Sequence, residues 1–148
     1  MTGKLTNQDL ERLLTDPSVE NRAAMAAKIA GEFHDGELAP AEREIALEIF
    51  SIMVEDAEAR VRAALAEHLR DCADISHALV LRLASDEDAI AAPMLRSSEL
   101  LTDDDLVEII RTSSDAKQCA IADRSSVSEA VTERLVDQGS AKVVSRVM

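Results

Sequence analysis

Two copies of one short pattern constrain what this chain can fold into. Asp16 is followed six residues later by Arg22 and then by Ala23-Ala24. Asp56 stands in the same relation to Arg62 and Ala63-Ala64, forty residues further on. Around the second copy, Val61, Ala64, Leu65 and Leu69 recur at helical spacing and make one apolar face. Asp56 is placed to cap that helix, its carboxylate accepting from the free amides of the first turn. Alanine at 59, 63 and 66 leaves room for a neighbouring helix to come close. A second echo follows: Ser85-Asp86 leading to Ile90-Ala91 returns as Ser114-Asp115 leading to Cys119-Ala120, and Gly139-Ser140 opens a further copy. A two-helix unit recurring every 25 to 40 residues or so marks an α-solenoid, because one unit cannot bury its own apolar face and must stack on the next.

The residues between the copies agree with an all-α fold. There are twenty-four alanines, four glycines, three prolines, two phenylalanines and no tyrosine or tryptophan. A core of Ala, Leu, Ile and Val suits closely stacked helices, and strict alternation of apolar and polar residues is hard to find. Helices are predicted over 6–14, 19–33, 40–54, after the turn that opens the stretch 54–69, over 76–83 and 88–95, from 102 onward, over 114–122, from 126 onward and from 141. Asp16-Pro17-Ser18 starts the second, since Asp caps and Pro loses no bond in a first turn. The third helix carries Ile45, Ala46, Ile49, Ile52 and Met53 on one side and Leu47, Phe50 and Val54 on another. That pattern predicts an interior helix covered on both sides. Only two or three residues separate it from the helix after Asp56, so those two should form an antiparallel hairpin. Pro93 should kink or shorten its helix. Thr102 with Asp105, and Ser126 with Glu129, have the form of capping boxes.

Asp56, Val61, Arg62, Ala63, Ala64 and Leu65 resemble the second helix of a HEAT repeat. In that family the Asp and Arg form a ladder between neighbouring repeats, so the resemblance implies a structural ladder of Asp16, Arg22, Asp56 and Arg62. Asp86 and Asp115 keep the acid without the arginine, so the ladder should fade toward the C-terminal end. The stretches 14–18, 38–43, 61–69, 80–86, 93–98 and 101–110 are together similar to an alphaproteobacterial family of uncharacterised proteins, domain-of-unknown-function family 2336. This likeness runs along nearly the whole chain. It implies HEAT-like repeats and no known reaction. Its members are longer, and the apolar run Val143–Met148 has no stop signal. The chain is accordingly read as one domain over 1–148, the N-terminal fragment of a longer protein, with an open last face through which copies could associate.

The charge narrows the partners. The formal net charge is −13, from 29 acidic and 16 basic residues. Such a field repels phosphate backbones and anionic membranes and favours a protein partner with a basic patch. The opening residues are polar with no apolar signal core, no run approaches the roughly 20 apolar residues of a membrane span, and two cysteines far apart suit reduced thiols. The expectation is a cytoplasmic protein.

No Gly-rich phosphate loop, nucleophile elbow or zinc pattern is present, so neither catalysis nor a cofactor is expected. His68, Cys72 and His77, with Asp71 and Asp74 among them, are ligand-type residues around one loop, but their bland reading is a capped helix end. Cys119 reads as a small core residue. On the second helices of the repeats, which line the concave face of HEAT-type solenoids, Lys28 and His68 occupy matching places. With Asn21, Glu32 and Glu67 they form the candidate partner-facing surface. The alternative is a ligand-binding or enzymatic HEAT-like domain, as in phycobilin lyases or alkylation-repair glycosylases. Two phenylalanines offer little to an aromatic ligand, and the acidity counts against DNA.

Overall fold

A computed structural model describes residues 18–147. The predicted first helix (6–14), Asp16 and Pro17 lie outside the described residues. Among the described residues the structure is helical throughout: α1 (Val19–His34), α2 (Pro40–Met53), α3 (Ala59–Leu69), α4 (His77–Ala84), α5 (Asp88–Ser97), α6 (Asp103–Thr112), α7 (Asp115–Ala122), α8 (Glu129–Gln138) and α9 (Ala141–Val147). None of these is long and apolar enough to cross a membrane. The chain divides into two compact units, Met1–Ile75 and Ser76–Met148.

In the first unit α1 starts at Ser18, whose hydroxyl accepts from the Asn21 amide at 3.2 Å. It ends before Gly36, which takes a positive φ of 75°. Pro40 occupies the first turn of α2, where it has no helical bond to lose. The broadest packing here is α1 against α3, two elements apart, rather than α2 against α3. Ala23, Ala26 and Ala30 of α1 and Val61, Leu65, Ala66 and Leu69 of α3 are all buried. Of the three alanines predicted to admit a neighbouring helix, Ala66 is buried and Ala63 half-buried, while Ala59 is exposed.

Two expectations for this unit are corrected. The predicted hairpin turn is longer, because α3 begins only at Ala59, and Glu58 rather than Asp56 is its N-cap residue. The Asp56 carboxylate accepts from the Glu58 amide, ahead of the helix, and from Arg22. Nor is α2 covered on both sides. It buries Ala46, Ile49, Phe50 and Met53, while Ile52 is 73% exposed and Ile45 and Leu47 are half-buried. The two stripes are thus neighbouring parts of one buried face, to which the first contributes Ala46, Ile49 and Met53 and the second Phe50 and Val54, and it is Ile52 of the first stripe that faces outward. Replacing Ile52 by Lys is expected to leave the denaturation midpoint within about 0.5 kcal/mol of the parent in a urea titration, since exposed positions seldom do more.

In the second unit the helices again pack on the element two further along. α5 packs on α7, α7 on α9, and α6 on α8, with α4 against α5. The echoed residues behave alike: Ile90 and Ala91 in α5, and Cys119 and Ala120 in α7, are all buried. Thr102 and Asp105 form the predicted capping box, the hydroxyl accepting from the Asp105 amide at 3.2 Å and the carboxylate from the Thr102 amide at 2.8 Å. For α8 the cap is Ser128, not Ser126. Its hydroxyl accepts from the amide of Val131, the first core residue of that helix. α5 runs four residues past Pro93 to Ser97 instead of stopping. Pro93 has no amide hydrogen to give to the carbonyl four residues earlier, that of Ala89, an exposed residue. The end of α5 is held by Arg124, whose guanidinium donates to the carbonyls of Leu95 and Ser98, each at 2.6 Å.

Candidate functional site

The first unit holds most of the residues that the sequence marks. Arg22 on α1 donates from Nε to Asp56 Oδ2 at 2.8 Å and from its second arm to Oδ1 at 3.1 Å, a two-pronged pair across 34 residues of chain. Arg62 on α3 donates to the backbone carbonyl of Asp56 at 2.6 Å. Asp56 Oδ1 also accepts from the Glu58 amide at 2.9 Å. One acid thus ties the arginine of α1 to the turn before α3, and the arginine of α3 holds the same turn from its other side. Asp16, the remaining member of the ladder, lies outside the described residues.

Burial by itself would push the Asp56 carboxyl up. The guanidinium of Arg22, the Glu58 amide and the charge of Arg62 outweigh it and hold the carboxyl below the usual range. A carboxyl lowered in the fold stabilises the folded state above its unfolded pKa of about 3.9, and that contribution is lost as the pH falls through the folded value. Asp56→Asn should therefore unfold at lower urea than the parent at neutral pH. That gap should close as the pH is taken down below about 4, which paired urea titrations would show.

The polar residues assigned to the partner-facing surface are placed as follows. Lys28, Glu67 and His68 are exposed; Asn21 and Glu32 are half-buried at the margin of the α1–α3 seam. Glu20 of α1 and Arg60 of α3 pair across the seam at 3.6 Å, and Glu67 pairs with Arg70 at 3.2 Å. The surface is a mixed-charge border along two packed helices, with acids at both ends.

The loop of ligand-type residues behaves otherwise than its sequence suggests. Cys72 is 5% exposed, and its Sγ lies 3.3 Å from Nδ1 of His34, the last residue of α1. His68 offers Cys72 only its backbone carbonyl, at 3.9 Å. His77 belongs to the other unit, where its Nε2 lies 2.6 Å from Asp105 Oδ2. Among the described residues no three of His, Cys, Asp and Glu are grouped so as to hold a metal ion.

Around the Cys72–His34 pair is a surface pocket of about 170 Å³ lined by Phe33, His34, Asp71, Cys72, Ala73 and Asp74. That is below the roughly 300–1,000 Å³ usual for a small-molecule or cofactor site. Arg43 lies over the Phe33 ring, 4.2 Å from its centroid, and donates to Asp74 at 3.2 Å. Burial first, and then the charges of Asp71, Asp74 and Asp35 against the opposing Arg43, push the Cys72 thiol up to about 11. At neutral pH it is a protonated thiol and a poor nucleophile.

The sequence reading ends α1 at residue 33 and does not single out His34. The signal was present in the repeat: at an offset of forty residues, 72–74 are the counterparts of 32–34. Helices that repeat at one spacing and pack side by side bring such ends together.

By its geometry this is an all-helical protein whose marked residues form packed seams and a polar border. Residues 90–148 match the model of a family described as an uncharacterised protein conserved in bacteria, DUF2336. No curated protein and no solved structure matches the chain.

Proposed function

We propose that the chain is a non-catalytic helical-repeat scaffold, an α-solenoid of HEAT-like hairpins that binds a protein partner carrying a basic patch. The observation that supports this reading most is the α1–α3 seam. Its alanine-lined packing is locked by Arg22 and Asp56, which fixes the Asn21, Lys28, Glu32, Glu67 and His68 border on rigid elements instead of loops. Packing of α1 on α3 in the first unit, and of α5 on α7, α6 on α8 and α7 on α9 in the second, follows the pattern that stacked hairpins produce. The net charge of −13 supports a basic partner and a salt-sensitive association. Bacterial origin and a cytoplasmic setting belong to the same reading, as does a family membership extending before residue 90.

The test is affinity capture from a bacterial lysate with the full chain, followed by binding measurements on the purified partner at low and moderate salt. A partner with a basic surface, bound more weakly as salt rises and lost on Glu67→Lys with helicity unchanged, supports the scaffold. Capture unaffected by both Glu67→Lys and Lys28→Glu moves binding off this border. A nucleic acid or a small molecule retained in place of a protein overturns the reading.

A further inference from the structure

We propose that the pocket at the C-terminal ends of α1 and α3 takes up a soft monovalent metal cation of the copper(I) or silver(I) class, bound by Cys72 Sγ and His34 Nδ1. The two donors already face each other at 3.3 Å. A thiolate sulfur selects soft ions, and an imidazole nitrogen suits copper. The number of donors then chooses among metals. Structural zinc wants four protein ligands, and no third His, Cys, Asp or Glu among the described residues completes a metal-holding group with this pair. A d10 monovalent ion is content with two.

The electrostatics favour a cation over any anion. Asp71 and Asp74 line the pocket, and Asp35 follows His34 directly. His34 is the last residue of α1, and Cys72 follows the end of α3 by three residues. Both donors therefore sit at the negative ends of helices, where positive charge is stabilised. Arg43, the neighbouring base, is turned onto the Phe33 ring and Asp74. His34 is exposed, so its ring can turn about the side-chain bonds to set the angle at the ion, while Cys72 waits beneath it. On binding, the S–H bond breaks, a sulfur–metal bond forms and the proton leaves to solvent. No electron moves, so no oxidant or reductant is required.

The test titrates the full chain anaerobically with copper(I) against a colorimetric copper(I) chelator, and separately with silver(I). The parent and Cys119→Ser should each capture one equivalent with release of about one proton per ion. Cys72→Ser should capture none. His34→Ala should bind at least about tenfold more weakly, the smaller end of the range seen even for lost supporting groups. His34 is exposed, so its replacement reads the site without depending on the core, and circular dichroism would verify the fold of each variant. Capture by Cys72→Ser equal to the parent, or an unchanged affinity in His34→Ala, would overturn the proposal. Equal retention of zinc would defeat the donor-number argument.

Discussion

Phe50→Ala is expected to lower stability by about 3–5 kcal/mol, the usual cost of truncating a fully enclosed phenylalanine. Phe50 has no exposed surface. Its ring meets that of Phe33 edge-to-face, centroids 5.4 Å apart and planes at 80°, the arrangement that aromatic quadrupoles prefer. These are the only two phenylalanines of a sequence with no tyrosine or tryptophan. Removing one opens a void in a core otherwise built from aliphatic side chains too short to refill it. It also strips the support under Phe33, which carries Arg43 on its other flank at 4.2 Å from the ring centroid. The measurement is the urea midpoint followed by far-ultraviolet circular dichroism. Phe50→Leu keeps most of the volume and should cost well under half as much. Equal losses for the two variants would show that ring geometry, not volume, carries the effect.

Gly139→Ala is expected to cost about 1–3 kcal/mol, although alanine ordinarily favours a helical setting. The backbone there is unstrained, with φ of −79° and ψ of 152°, so conformational freedom is not the issue. Space is. A Cβ at 139 would sit 2.8 Å from Val143 Cγ1 and 2.9 Å from its Cβ, and would press into the carbonyl oxygen of Leu135. That carbonyl accepts from the Gly139 amide at 2.8 Å, and Val143 is fully buried. Neither backbone nor a buried branched side chain can swing aside, so α9 would have to move off the end of α8. Combining Gly139→Ala with Val143→Ala should recover part of the loss, because the smaller side chain vacates the contested space. A strictly additive double variant would place the strain at the Leu135 carbonyl.

The legible part of this fold is the part written in local chemistry. Helical spacing marked the helices, Thr102 and Asp105 announced their capping box, and Pro40 announced the start of α2. The misplaced parts are those where a distant group outbid a local one. Asp56 looks like a helix cap, and no rule of sequence separation says that a guanidinium 34 residues earlier will claim its carboxylate. Ser126 and Ser128 are equally good caps on paper, and what chooses Ser128 is which residue, Val131, reaches the core. Periodicity counts apolar residues without knowing what covers them, so it groups the exposed Ile52 of α2 with the buried Ala46, Ile49 and Met53. At the Cys72 pocket the sequence drew attention to the right sulfur and the wrong histidines. Proximity along the chain suggested His68 and His77, whereas the side-by-side packing of α1 and α3 delivers His34.

The packing of helices two elements apart within each unit also bears on how quickly this chain assembles. In the first unit the α1–α3 seam closes over a few tens of residues, and in the second the α5–α7 and α6–α8 contacts close over fewer still. Loops of that length cost little entropy to close. No strand among the described residues has to search for a distant partner. Contact order of this kind goes with folding in microseconds to milliseconds, the range of helical proteins. A unit could therefore form soon after its last helix leaves the ribosome, and little of its alanine-rich interior would be left open to neighbouring chains in the interval.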